Sequence, residues 1–237
     1  MELITRASSL RDVLNHNPLL ELVLDRFDLV YRNNDQTVEI ACMDKCLNID
    51  FFVEILRVFD HPEQFSVDTF SAFEVGVIME YLEKTHEYYI NKRTAEIEHS
   101  IELLIERYSD DYPRLVVLKP FFQVYKKELI EHITTEEEEL FPYIREQIQA
   151  YSGAEVARNE TGFSISKFLH RHEEDHLDTD LGEIRNLIID GHPELMKVLA
   201  FRVLFTQLYA FESDLHIHER IEEEVLIPKL LRPGWGA

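Results

Sequence analysis

The chain has 237 residues, with 24 Lys and Arg against 46 Asp and Glu, a net charge of −22. That balance argues against duplex nucleic acid and against an anionic membrane surface, because both are bound chiefly through basic residues. A hydrophobic fraction of 45% supports a real core, and only 7 Gly and 8 Pro point to long helices with few connections.

The first part of the chain reads as short helices: Leu10 to His16, Pro18 to Phe27, Thr37 to Leu47 and Asp50 to Phe59. Asp50 is the expected N-cap of the last, ahead of Phe51, Phe52, Ile55, Leu56 and Phe59 at helical spacing. Met1 to Leu10 lacks the apolar core of a signal peptide, and no apolar run approaches the roughly 20 residues of a membrane span. The two cysteines, Cys42 and Cys46, are too few for a disulfide framework. Four apart on one helix face, they read as small buried hydrophobes. The chain reads as cytoplasmic.

The predicted organisation is a small helical N-terminal domain at 1–60, a linker at 61–69 around His61-Pro62-Glu63, and a helical bundle at 70–237. Four long amphipathic patterns follow the linker, at about 70–109, 113–150, 163–190 and 193–231. Pro120 kinks the second or delays its start. Breaks at 109–113, 151–162 and 190–193 hold Gly, Pro or clustered polar residues. Four long helices with short links imply an all-α, antiparallel up-down four-helix bundle.

The inward stripes carry ionisable residues where the pattern asks for Leu. The first stripe runs Ile78, Leu82, Ile90, Ile97, Ile101, and His86 falls on it. The second runs Phe122, Tyr125, Leu129, Ile133, Leu140, Ile144, with His132 and Glu136 facing the same way. The fourth runs Leu204, Leu208, Phe211, Leu215, Leu226, Leu230, with His218 and Glu222. A carboxylate in a bundle core costs several kcal/mol unless something neutralises it. A metal does so, and i,i+4 spacing lets His and Glu share it from one helix face.

An offset of 86 residues relates His132 to His218, Glu136 to Glu222 and Pro142 to Pro228, and takes His86 to His172. The bundle therefore reads as two tandem hairpins. The repeat yields four His and two Glu: two bridging carboxylates, with imidazoles capping two metal ions. His176, four residues on, competes with His172 for its place. Imidazole with carboxylate and no thiolate suits iron, manganese or zinc. Two octahedral ions joined by Glu and an oxo or hydroxo group are the di-iron arrangement, and helical bundles hold such sites in their cores. Only the first of Glu136 to Glu139 is expected to face inward, and His170 and His216 to face out. His16, His61, His99 and His192 have no partner that the pattern supplies.

The stretches Glu131 to Pro142, Ser164 to His172 and His218 to Pro228, with His86, resemble the hemerythrin-like cation-binding domain. Within it they are similar to the di-iron proteins that repair iron–sulfur centres. The resemblance implies a non-haem di-iron centre held by His86, His132, Glu136, His172, His218 and Glu222; the family counterpart of Glu128, a turn before His132, lines the approach to the metals, and Glu128 reads equally as that or as surface. It also implies a stress-response role in restoring iron–sulfur clusters after oxidative or nitrosative damage. Damaged iron–sulfur proteins, nitric oxide or oxygen would be its partners, with a homodimer open. A sensor of oxygen, nitric oxide or redox state is the alternative. Asp25 to Tyr31 and Thr37 to Cys42 resemble the family's small N-terminal domain, but Arg32-Asn33 stands where that family has a Cys pair. Thiol chemistry does not carry over, so the bundle alone is expected to hold the chemistry, with the N-terminal domain for docking or dimerisation.

Overall fold

The computed structural model describes residues 3–29, 36–151, 164–165, 168, 181–182, 184–186 and 193–232. Regular structure among them is helical, with one isolated antiparallel bridge between Ser9 and Thr37. The helices are α1 (Leu10–His16), α2 (Glu21–Arg26), α3 (Val38–Asp44), α4 (Ile49–Asp60), α5 (Val67–Ser71), α6 (Val75–Tyr88), α7 (Thr94–Tyr108), α8 (Leu118–Thr135), α9 (Phe141–Tyr151), α10 (Leu199–Arg220) and α11 (Ile227–Leu230). No described helix is long and apolar enough to cross a membrane.

Local chemistry sets the ends. Ser9, Thr37, Asn48 and Ser66 each accept a hydrogen bond from a backbone amide three residues on, capping α1, α3, α4 and α5. The cap of α4 is therefore Asn48 rather than Asp50. Asp50 sits in the first turn, where its charge favours the helix N-terminus, and takes a two-pronged bond from Arg6. In a chain poor in Gly, Asp28 (φ 52°) and Cys46 (φ 56°) adopt the left-handed conformation after α2 and α3. The next amides, of Leu29 and Leu47, then reach back to the carbonyls of Leu24 and Cys42. Cys46 is thus an exposed stop residue and does not share a helix face with Cys42. Cys42 is buried, which pushes its thiol pKa up to about 12. Pro120 falls in the first turn of α8, where its missing N–H costs nothing; the 3-10 turn Pro113–Val117 precedes it.

The described residues form two compact units. The first gathers Met1–Thr85 with Ile217–Trp235, and the second spans His86–His216.

In the first unit an aromatic cluster joins the N-terminal helices to α5 and α6. Phe51 meets Phe70, Phe73 and Tyr81 edge-on, with centroids 5.7, 5.1 and 5.6 Å away. Phe27 meets Phe52 in the same way at 5.3 Å. Such pairs add to the area they bury. Arg26, only 5% exposed, donates to Tyr81 Oη (3.2 Å) and Thr85 Oγ1 (3.1 Å). Its guanidinium lies over the rings of Phe59 and Tyr81. Lys229 Nζ donates to the carbonyl of Ser71, which ties α11 to the end of α5.

In the second unit the predicted stripes are buried. Ile97, Ile101, Leu104, Phe122, Tyr125, Leu129, Ile133, Leu204, Leu208, Phe211 and Leu215 form one core. Leu181 and Ile184, from the third predicted helix, are helical and buried in that core as well. One register expectation fails. Tyr89, not Ile90, is the fully buried residue after His86, and its hydroxyl donates to Asp214 at 2.7 Å. The reason is a π turn at Tyr89–Arg93, where the Thr94 amide bonds the carbonyl five residues back. That turn shifts the helical phase by one residue.

Candidate metal centre

Three sequence-predicted ligands meet in the second unit. His86 lies in the last turn of α6, His132 lies in the last turn of α8, and Glu136 follows one turn later. His86 Nε2 stands 3.0 Å from Glu136 Oε2, and His132 Nε2 stands 2.7 Å from Glu136 Oε1. Each carboxylate oxygen thus faces one imidazole. The side chains of His86 and Glu136 are fully buried, and that of His132 is 13% exposed.

The far nitrogen of His86 is held too. Its Nδ1 lies 3.2 Å from Glu137 Oε1, so the N–H there donates to a second carboxylate. A neutral imidazole with its proton on Nδ1 presents a bare lone pair at Nε2. That lone pair points at a carboxylate oxygen, acceptor against acceptor. Either a proton or a cation resolves the clash. Burial lowers the proton affinity of His86, but the hydrogen bonds and charges of Glu136 and Glu137 outweigh it, and its pKa lies above the ordinary value. The residues present fit a metal. Ligand atoms about 2.1 Å from one ion and at right angles around it lie about 3 Å apart, close to the separations seen. A carboxylate holding the outer nitrogen of a ligating His is the usual second layer of a metal site. Glu137 was not foreseen as functional, since it belongs to a run of four Glu that reads as a solvated face, and it is half exposed.

The local helix geometry follows the repeat. Glu136 opens a π turn, Glu136–Leu140, closed by the Phe141 amide on the Glu136 carbonyl. Residue i+5 comes round close to the face of residue i in such a turn, whereas it lies about 140° away on an α-helix. Phe141 is therefore buried, and its ring stacks on His86 with centroids 5.4 Å apart and planes 6° apart. Pro142 offers no amide and crowds the carbonyl four residues back, which favours the looser turn.

In the first unit, His218 and Glu222 lie one turn apart, at the end of α10 and in the π turn Ile221–Leu226. They are 4% and 1% exposed. The Ile227 amide bonds the Glu222 carbonyl, the counterpart of Phe141 on Glu136, with Pro228 following as Pro142 does. The 86-residue repeat thus extends from side chains to an unusual backbone bond.

Other expectations resolve individually. His216 is exposed, as is Glu137 to Glu138, while Glu139 is half-buried. Glu128 is exposed, which is its surface reading. His99 is exposed, and His16 and His61 do have a partner, Asp60. His172, its competitor His176, His170, His192 and Arg32-Asn33 lie outside the described residues.

No family model matches the chain. The chain is similar to the "Iron-sulfur cluster repair protein ScdA" of Staphylococcus haemolyticus (strain JCSC1435). The two are 16% identical over 230 residues, which take in 96% of this chain and 99% of that protein.

Proposed function

We propose that this chain is a non-haem di-iron protein of the stress response that helps repair iron–sulfur clusters after oxidative or nitrosative damage. Its fold would be the hemerythrin-like, antiparallel four-helix bundle at 70–237, preceded by a small helical domain at 1–60 and a linker at 61–69. Six side chains would hold the metals: His86, His132, Glu136, His172, His218 and Glu222. The single observation behind this reading is the Glu136 carboxylate, fully buried between two imidazole nitrogens. The likeness to a named iron–sulfur cluster repair protein along nearly the whole chain supports it.

Bound iron would supply one-electron redox chemistry and open positions for a small diatomic ligand such as nitric oxide or oxygen. The protein's part is positional. Glu136 offers one oxygen to each neighbouring His. Glu137 holds the Nδ1 proton of His86 and so keeps Nε2 free to ligate. Phe141 covers the His86 ring and excludes water from that side. His and carboxylate ligation also suits manganese and zinc. Damaged iron–sulfur proteins in the cytoplasm would be the partners. The absence of a Cys pair at Arg32-Asn33 favours the second reading, a hemerythrin-like sensor of oxygen, nitric oxide or redox state.

The test is recovery of a nitric oxide-damaged iron–sulfur enzyme by the full, iron-loaded chain and by its Glu136→Ala variant. Repair predicts recovery with the full chain and little with the variant. Reversible binding of nitric oxide with no recovery would move the assignment to sensing.

A further inference from the structure

Within the first unit a second set of ligating side chains converges, apart from every residue discussed above as a ligand. We propose that His16, Asp60 and His61 form a site for one divalent transition-metal ion of the zinc class. His16 is the last residue of α1, Asp60 is the last residue of α4, and His61 follows it. His16 Nε2 lies 3.0 Å and His61 Nε2 lies 3.5 Å from the same oxygen, Asp60 Oδ2. One ligand atom from each residue fits within a 4.8 Å span.

The surroundings prepare these three atoms. Asn17 Nδ2 donates to Asp60 Oδ1 at 3.1 Å, which fixes the carboxylate and turns Oδ2 toward the two rings. The Asn17 side-chain oxygen is occupied in turn by the Leu19 amide, so the amide orientation is set. Glu63 Oε1 lies 3.1 Å from His61 Nδ1 and accepts a hydrogen bond from the N–H there. His61 Nε2 then presents a lone pair to Oδ2 across 3.5 Å, where no hydrogen bond forms. The arrangement is carboxylate, imidazole, then a place for a cation, the second-layer pattern of metal-binding histidines. Ligand atoms on a tetrahedral ion about 2.0–2.1 Å away lie about 3.3 Å apart, between the two separations seen.

Two helix ends add to this. α1 and α4 both finish at the cluster, and their carbonyl ends carry partial negative charge that favours a cation. Asp60 is 9% exposed while His16 and His61 are 36% and 30% exposed, so the oxygen is sheltered and the imidazoles border solvent. A fourth position is left for water or an incoming ligand, so the ion would exchange. Imidazole ligands with one carboxylate suit zinc, copper, iron and nickel, and zinc is the probe that adds no redox chemistry.

The experiment is a zinc titration of the full chain by calorimetry, with bound zinc counted after desalting and the imidazole nitrogens followed by NMR. Wild type is expected to take one zinc ion more than His16→Gln and one more than Asp60→Asn. Shifts should appear at His16 and His61 Nε2 while His61 Nδ1 keeps its proton. Glu63→Gln should weaken that ion 10- to 100-fold, the usual scale for a lost second-layer carboxylate. His16 lies at the surface, so its variant tests the site even if Asp60→Asn fails to fold. Ions bound through Glu136 are common to wild type and His16→Gln and cancel in the comparison. Equal zinc counts in wild type and His16→Gln, or zinc binding with no shift at either imidazole, would overturn the proposal.

Discussion

The amide of Phe141 bonds the carbonyl of Glu136, five residues back, and so brings an aromatic ring and a buried carboxylate to nearly one face of one helix. A regular α-helix would turn Phe141 about 140° away. The carboxylate is therefore delivered with its own cover, and both parts serve His86.

Removing that carboxylate should cost both metal and stability. Glu136→Ala leaves two imidazoles facing a void, and losing one partner of a buried polar pair typically costs about 3 kcal/mol. The expected result is a lower melting temperature and the loss of at least one metal ion, read by thermal melts and elemental analysis. Glu136→Gln keeps the shape and should recover part of the stability but not the metal.

Metal and stability should be linked. His86 and Glu136 are both fully buried, and a bound cation offsets the charge gathered there. Complete chelation is expected to lower the melting temperature, and restoring iron to return it. An unchanged melting curve after full metal removal would contradict this.

Glu137 should matter without being a ligand. It holds the outer nitrogen of His86 from a half-exposed position. Glu137→Gln should keep the fold and weaken metal binding 10- to 100-fold, whereas Glu138→Gln, on the exposed face, should change neither. Competition against a chelator of known affinity measures both.

The α7–α8 pairing should be sensitive to acid at one place. Lys126 Nζ donates to Glu98 at 2.8 Å, and this hydrogen bond first, then the charge, holds the Glu98 carboxyl below its ordinary pKa. A lowered pKa adds stability above the unfolded value and loses it as the pH falls through the folded one. Lys126→Met should therefore destabilise by about 0.5 kcal/mol near neutral pH, the scale of a solvent-screened pair. Its melting curve should merge with that of wild type in acid.

Cutting the chain at residue 66 should be harmful. Phe70, Phe73 and Tyr81 pack on Phe51, and Arg26 holds Tyr81 and Thr85. Residues 66–237 on their own would expose these rings. Increased binding of a hydrophobic dye and a lower melting temperature than the full chain are expected.

The helices and their buried faces were legible because apolar residues repeat at 3.6, and because His132, Glu136, His218 and Glu222 interrupt that repeat at places that called for Leu. The π turns were not legible as such. Two of them precede Pro142 and Pro228, which mark the repeat but do not break the helical spacing of the apolar residues, while no proline lies near Tyr89–Arg93 to signal the shift from Ile90 to Tyr89. Glu137 was hidden because a run of like charges normally marks a solvated face. The His16, Asp60 and His61 cluster was hidden because Asp60 and His16 are 44 residues apart and meet only through tertiary packing. Asp50 reads as the cap because it directly precedes the apolar repeat, whereas the hydrogen bond from the Phe51 amide falls on Asn48, two positions earlier.

The most direct test of the central claim is the iron content and absorption spectrum of the full chain purified under air, beside Glu136→Ala and Glu222→Ala. The account predicts about two irons per chain with the bands of a bridged pair, and at least one iron fewer in each variant. A wild-type chain that holds no iron when iron is supplied, or a Glu136→Ala chain that keeps its full complement, would contradict it.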